Sequence, residues 1–115
     1  MTVRGPGKGG RNQELALAFA MEIEGVQGVS FLSAGTDGTD GPTDAAGALV
    51  DGSTTVQARS INIDPQSYLD RNDSYNFFQN YDTSTGAYSH IKTGPTGTNV
   101  MDLQIVLLNV DCVMK

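Results

Sequence analysis

Three stretches of this 115-residue chain combine glycine with groups that bind anions or cations. GPGKGGR runs from Gly5 to Arg11, GTDGTDGPTD from Gly35 to Asp44, and KTGPTGTNVMD from Lys92 to Asp102. Glycine loops expose backbone N–H groups, and neighbouring hydroxyls add donors, so such loops can cradle phosphate or carboxylate oxygens. In the first stretch Lys8, Gly9 and Gly10 are candidates for binding phosphate, and Arg11 is the candidate for catalysis. A guanidinium at the opening of a helix opposes the helix dipole unless an anion sits there, which makes Arg11 a phosphate or carboxylate contact. The alternative is a solvated basic face in which Arg11 bridges to Glu14. In the second stretch Asp37 and Asp40, with Asp44 behind them, suit Mg²⁺ held through one or two carboxylates and waters. Equally, these aspartates can cap turns or the next helix. In the third, Thr93, Thr96, Thr98 and Asn99 beside Lys92 can hold a phosphate or a polyol.

Other readings of the same residues are weaker. GPGKGG fits the G-x-G-x-x-G dinucleotide spacing formally, although Pro6 and Lys8 inside it are atypical. It is not a Walker A loop, whose Gly-Lys pair follows four intervening residues and precedes Ser or Thr. GTDGTDGPTD lacks the ligand alternation of an EF-hand. His90 and Cys112 read as structural, since neither has a visible partner to activate it as a nucleophile or base.

The segments between must position these loops. Asn12 to Ile23 contains LALAFAM, strong helix formers that are apolar nearly all round, and predicts a largely buried helix. Val29 to Ala34 is a short apolar run ending at Gly35 and predicts an interior strand. If Thr2 to Arg4 is the tail of another strand, the order is that of a βαβ unit. Ala48 to Val50 fits either a short strand or the first turn of a helix, and Ser53 to Ser60 is predicted helical. Asp64 before Pro65 is an N-cap followed by proline at the first helical position, which starts a helix running to about Arg71. Asn72 or Asp73 caps the next one, whose Tyr75, Phe77 and Phe78 supply core area. Asp82 to Gly86 reads as a turn, Tyr88 to Ile91 as a strand, and Leu103 to Val110 as a central strand. The expected architecture is α/β: one three-layer-like domain over residues 1–115, a mixed sheet flanked by helices. In such sheets ligands bind beyond the carboxyl ends of strands, where the glycine loops would converge.

Composition narrows the function classes. With 38% of residues apolar, the chain can bury a core, and its size is that of one domain. A net charge of -6 argues against a nucleic-acid partner. A single cysteine allows no internal disulfide, and a single histidine cannot build a zinc site by itself. Leu15 to Met21 is the longest strongly apolar stretch and is far too short to span a bilayer, so no membrane partner is expected. A soluble, cytoplasmic protein is expected, with a mitochondrial parent also open.

The motifs GKGGRNQELAL (Gly7 to Leu17), GTDGTDGPTDAAGA (Gly35 to Ala48), NDSYNFF (Asn72 to Phe78) and TGPTGTNVMDLQ (Thr93 to Gln104) together resemble the C-terminal MOFRL domain of glycerate 2-kinases. The resemblance covers nearly the whole chain. It implies a two-domain enzyme in which an N-terminal Rossmann-like domain, not contained in these residues, meets this one across a cleft that binds ATP, Mg²⁺ and D-glycerate and forms 2-phosphoglycerate. It implies that Arg11, the arginine of GGRNQE, faces that cleft, while the family's catalytic lysine belongs to the other domain. The isolated domain is then expected to be inactive, and the parent can be a homodimer. Two other classes stay open: a non-catalytic ligand-binding or dimerisation module, and an NAD(P)-linked hydroxypyruvate reductase-like domain.

Overall fold

Alternating alanine and leucine in LALAFA wind the first helix, α1 (Arg11–Glu22), and leave a flat alanine-rich face that lets it lie close on a sheet. The structure, a computed structural model, describes residues 9–35, 45–92 and 102–108. After α1 come β1 (Val29–Gly35), β2 (Gly47–Asp51), α2 (Thr54–Ser60), α3 (Pro65–Asp70), α4 (Ser74–Thr85), β3 (His90–Ile91) and β4 (Asp102–Leu108). The α/β class expected from the sequence holds. The strand expected at Thr2 to Arg4 lies outside the described residues.

Among the described residues the sheet order is β3-β2-β1-β4 and each pairing is antiparallel, whereas the parallel pairing of the mixed sheet was expected from the strand at Thr2 to Arg4, outside the described residues. The connection 36–46 between β1 and β2 is shorter than the dozen or so residues that a parallel crossover needs. The three-layer expectation also changes. Ala16, Leu17 and Ala20 of α1, Ala58 of α2, and Phe77, Phe78 and Tyr81 of α4 form one core with Phe31, Ala48 and Val50 of the sheet. Those strand residues share one face, so among the described residues the helices form a single layer on that face.

Aromatic packing fills the space between α4 and its neighbours. Phe77 lies edge-on to both Phe78 and Tyr68, with ring centroids 5.0 Å and 5.8 Å away, while Phe19 stacks on Phe31 at 4.2 Å. Asp64 caps α3 as expected, its Oδ1 accepting from the Gln66 amide at 3.1 Å. Asp73 is the N-cap residue of α4. The turn expected at Asp82 to Gly86 is instead the end of that helix, which continues to Thr85 and closes on left-handed Gly86 (φ 76°). Ala48 to Val50 lies in a strand, β3 is only two residues long, and β4, expected to be central, stands at the end of the sheet among the described residues.

Candidate functional site

The register gathers the ends of all four strands in one row. Gly35, the last residue of β1, pairs with Asp102, the first of β4; Ala34 pairs with Gly47, the first of β2; Gly47 pairs with Ile91, the last of β3. Ala46 ties this row together, accepting from Gly35 N–H at 2.8 Å and donating to the Ile91 carbonyl at 2.6 Å. The threonine- and aspartate-rich segment 36–44 and the threonine-rich segment 93–101 therefore each leave from, and return to, the same edge of the sheet.

The amino end of α1 is pinned to that edge by polar side chains buried in what would otherwise be an apolar interface. Asn12 Oδ1 accepts from Ser33 Oγ at 2.7 Å and from Gln104 Nε2 at 3.3 Å, which joins α1, β1 and β4. Gln13 is fully buried, its Oε1 2.7 Å from His90 Nε2 on β3. Glu14 is buried as well. Arg11 is exposed at the first position of the helix, directly after Gly10.

The second long helix points its amino end at the same place. A side-chain carbon on Gly9 would collide with Ser74 Oγ and lie 3.4 Å from the Ser74 amide nitrogen, so the approach of the first loop to α4 requires glycine there. Two twelve-residue helices thus direct their positive ends toward the Gly9-Gly10 segment. Lys92, where β3 ends, extends over the Tyr75 ring and donates to Tyr75 Oη at 3.3 Å and Gln79 Oε1 at 3.0 Å. His90 packs between Tyr75 and Phe78, and its backbone N–H donates to Asp82 Oδ2 at 2.9 Å. Donors, helix ends and cationic side chains on one edge suit an anionic ligand.

Of the candidate residues, Gly9, Gly10 and Arg11 lie at this edge. Lys8, Asp37, Asp40, Thr93, Thr96, Thr98 and Asn99 lie outside the described residues, and their flanks Gly35, Ala45, Lys92 and Asp102 are at the edge. Among the described residues no group of three or more His, Cys, Asp or Glu is placed to hold a metal ion. His90, read as structural, packs and hydrogen-bonds inside the fold, whereas the residues that the sequence reading passed over are Asn12, Gln13, Ser33 and Gln104. Their signal was polarity at positions inside apolar runs, where a polar side chain must find a partner. An open depression of about 510 Å³, lined by Val26, Val29, Ser30, Asp51 and Val56, opens at the other end of β1 and shares none of these groups.

The pattern of the MOFRL family matches residues 1–102. The chain belongs to the MOFRL family. A D-glycerate 2-kinase of Thermotoga maritima is 57% identical to this MOFRL domain over 106 residues, which cover 92% of this chain and 24% of that protein. A Homo sapiens glycerate kinase is 46% identical over 110 residues, 92% of this chain and 20% of the other. The crystal structure of a Thermotoga maritima glycerate kinase superposes on the MOFRL domain with a TM-score of 0.86 at 54% identity, covering 94% of this chain and 25% of that one. The chain spans about a fifth to a quarter of the length of these relatives.

Proposed function

We propose that this MOFRL domain is the C-terminal part of a glycerate kinase that transfers the γ-phosphoryl group of ATP to the 2-hydroxyl of D-glycerate. The observation that carries this reading is the single sheet edge at which the glycine segments are anchored and toward which α1 and α4 point their positive ends. The kinase names of relatives at 46% and 57% identity support the reaction class.

Phosphoryl transfer asks mainly for positioning and for charge aimed at the equatorial oxygens. Arg11 places a permanent cation at the mouth of α1, where it stabilises those oxygens as the bond to the leaving group loosens. The N–H groups of Gly9 and Gly10 and the ammonium of Lys8 hold the phosphate chain. Thr93, Thr96, Thr98 and Asn99 bind the glycerate hydroxyls and carboxylate. Asp37 and Asp40 hold Mg²⁺, which neutralises phosphate charge when bound. The buried Asn12 and Gln13 contacts fix the first turn of α1, and with it the origin of the Arg11 side chain. The opposing wall of the cleft belongs to the remainder of the longer polypeptide.

In the full-length enzyme, Arg11→Ala should lower kcat by about a hundredfold or more, the loss typical of a removed charged transition-state donor. An unchanged kcat would take Arg11 out of the chemistry.

A further inference from the structure

Ser74, the first residue of α4, is fully buried, and among the described residues its hydroxyl has no hydrogen-bond partner. A buried polar atom of this kind has given up its hydration and received nothing in return, so native proteins retain one chiefly where a binding or catalytic role uses it. The hydroxyl does not cap the helix. Asp73 holds the cap position, its carboxylate accepts from Asn76 Nδ2 at 2.8 Å, and α4 opens without a side-chain cap. Ser74 Oγ faces Gly9 instead. A side-chain carbon on Gly9 would meet that oxygen first and would lie 3.4 Å and 3.5 Å from the Ser74 and Tyr75 amide nitrogens, so the Gly9 backbone lies across the opening of the helix.

The Gly9-Gly10 pair can also move in one particular way. The Gly10 carbonyl accepts from Glu14 N–H at 2.9 Å, which ties the peptide after Gly10 to α1. The peptide before it turns on two glycine torsions, and Gly10 stands at φ -137° and ψ 173°. Half a turn of that peptide brings the Gly10 φ to a positive value, which glycine adopts without the strain other residues suffer.

We propose that Ser74 is a positioning residue for the phosphate chain. An anionic oxygen draws the Gly10 N–H toward itself, and the peptide between Gly9 and Gly10 turns to follow. The carbonyl of a trans peptide points opposite to its N–H, so the Gly9 carbonyl swings toward α4 and accepts from the Ser74 hydroxyl. The loaded loop is latched by a donor that the unloaded loop leaves unused, with the positive end of α4 behind it. The inference rests on the reading that the Gly9-Gly10 segment holds phosphate, and it is independent of the roles given to segments 36–44 and 93–101.

Kinetics of Ser74→Ala in the full-length enzyme, together with the NMR resonance of the Gly9 carbonyl carbon, test it. Without ligand the variant should melt no lower than the wild type, because the hydroxyl it lacks had no bond to lose. Its KM for ATP should rise about fivefold, the worth of one hydrogen bond, while kcat and the KM for glycerate stay unchanged. A non-hydrolysable ATP analogue with Mg²⁺ should move the Gly9 carbonyl resonance downfield in the wild type and by clearly less in Ser74→Ala. An unchanged KM for ATP, or a resonance that moves equally in both proteins, overturns the proposal. So does a variant that melts several degrees lower without ligand, since its hydroxyl would then have been a structural contact all along. A wild type that neither binds the analogue nor forms ADP would take down the kinase reading as well, whereas an active wild type matched by Ser74→Ala removes the latch alone.

Discussion

Tyr81 illustrates how a single side chain couples the core to solution conditions. Its ring stacks on Phe77, and its hydroxyl donates to Gln57 Oε1 at 2.8 Å. Burial, reinforced by the negative charges of Asp51 and Asp82, pushes its pKa above the ordinary 10.0. Below the ordinary value both folded and unfolded chains keep this proton; above it the unfolded chain loses the proton first, so Tyr81 makes stability fall as the solution becomes alkaline. Denaturant melts at about pH 8 and about pH 11 should show this fall in the wild type and a smaller one in Tyr81→Phe. Equal slopes would mean that the hydroxyl titrates normally. At the same scale, the place of Arg11 at the opening of a helix was legible in the sequence, because strong helix formers follow directly after the Gly9-Gly10 pair. Asn12 and Gln13 were not, because their partners Ser33, Gln104 and His90 lie far along the chain and only folding brings them within hydrogen-bonding distance.

At the scale of elements, signals that act within a few residues were readable and those that depend on neighbours were not. Asp64 and Pro65 start α3 through a local hydrogen bond and a fixed φ, and α1 and α2 form where helix propensity and flanking glycines or aspartate place them. Asp64→Ala should lower stability by about 1 kcal/mol in a denaturant melt, the usual cost of a lost N-cap, with little change in activity. Asp82 to Gly86 looked like a turn because its residues are turn formers, yet the core contacts of Phe78 and Tyr81 carry α4 on to Thr85 before Gly86 closes it. The apolar run from Leu103 to Leu108 identified a strand but not its place in the sheet, since composition reports what a strand is suited to pair with and not which strands are present.

For the whole molecule, the proposed chemistry needs a second wall. Among the described residues the candidate site edge is formed by strand ends and helix amino ends on one side of a single sheet. Proximity of two substrates is a large part of the rate enhancement, and one wall cannot enforce it. The isolated 115-residue chain should therefore give no glycerate-dependent ADP production in a coupled assay. Turnover from this chain alone would place the complete site within it.

The sequence by itself determined the α/β class, the helices that begin at local signals, and the family whose motifs the chain carries. These are encoded by short-range sterics, hydrogen bonds and residue order, which exist before the chain folds. Only the tertiary structure decided that the described strands pair antiparallel, that the described helices cover one face, that β4 comes last in the order of the described strands, and that buried Asn12 and Gln13 hold the first turn of α1 against three strands. Those outcomes depend on contacts between residues distant in the chain, where register and the burial of polar groups are settled by the partners that packing makes available.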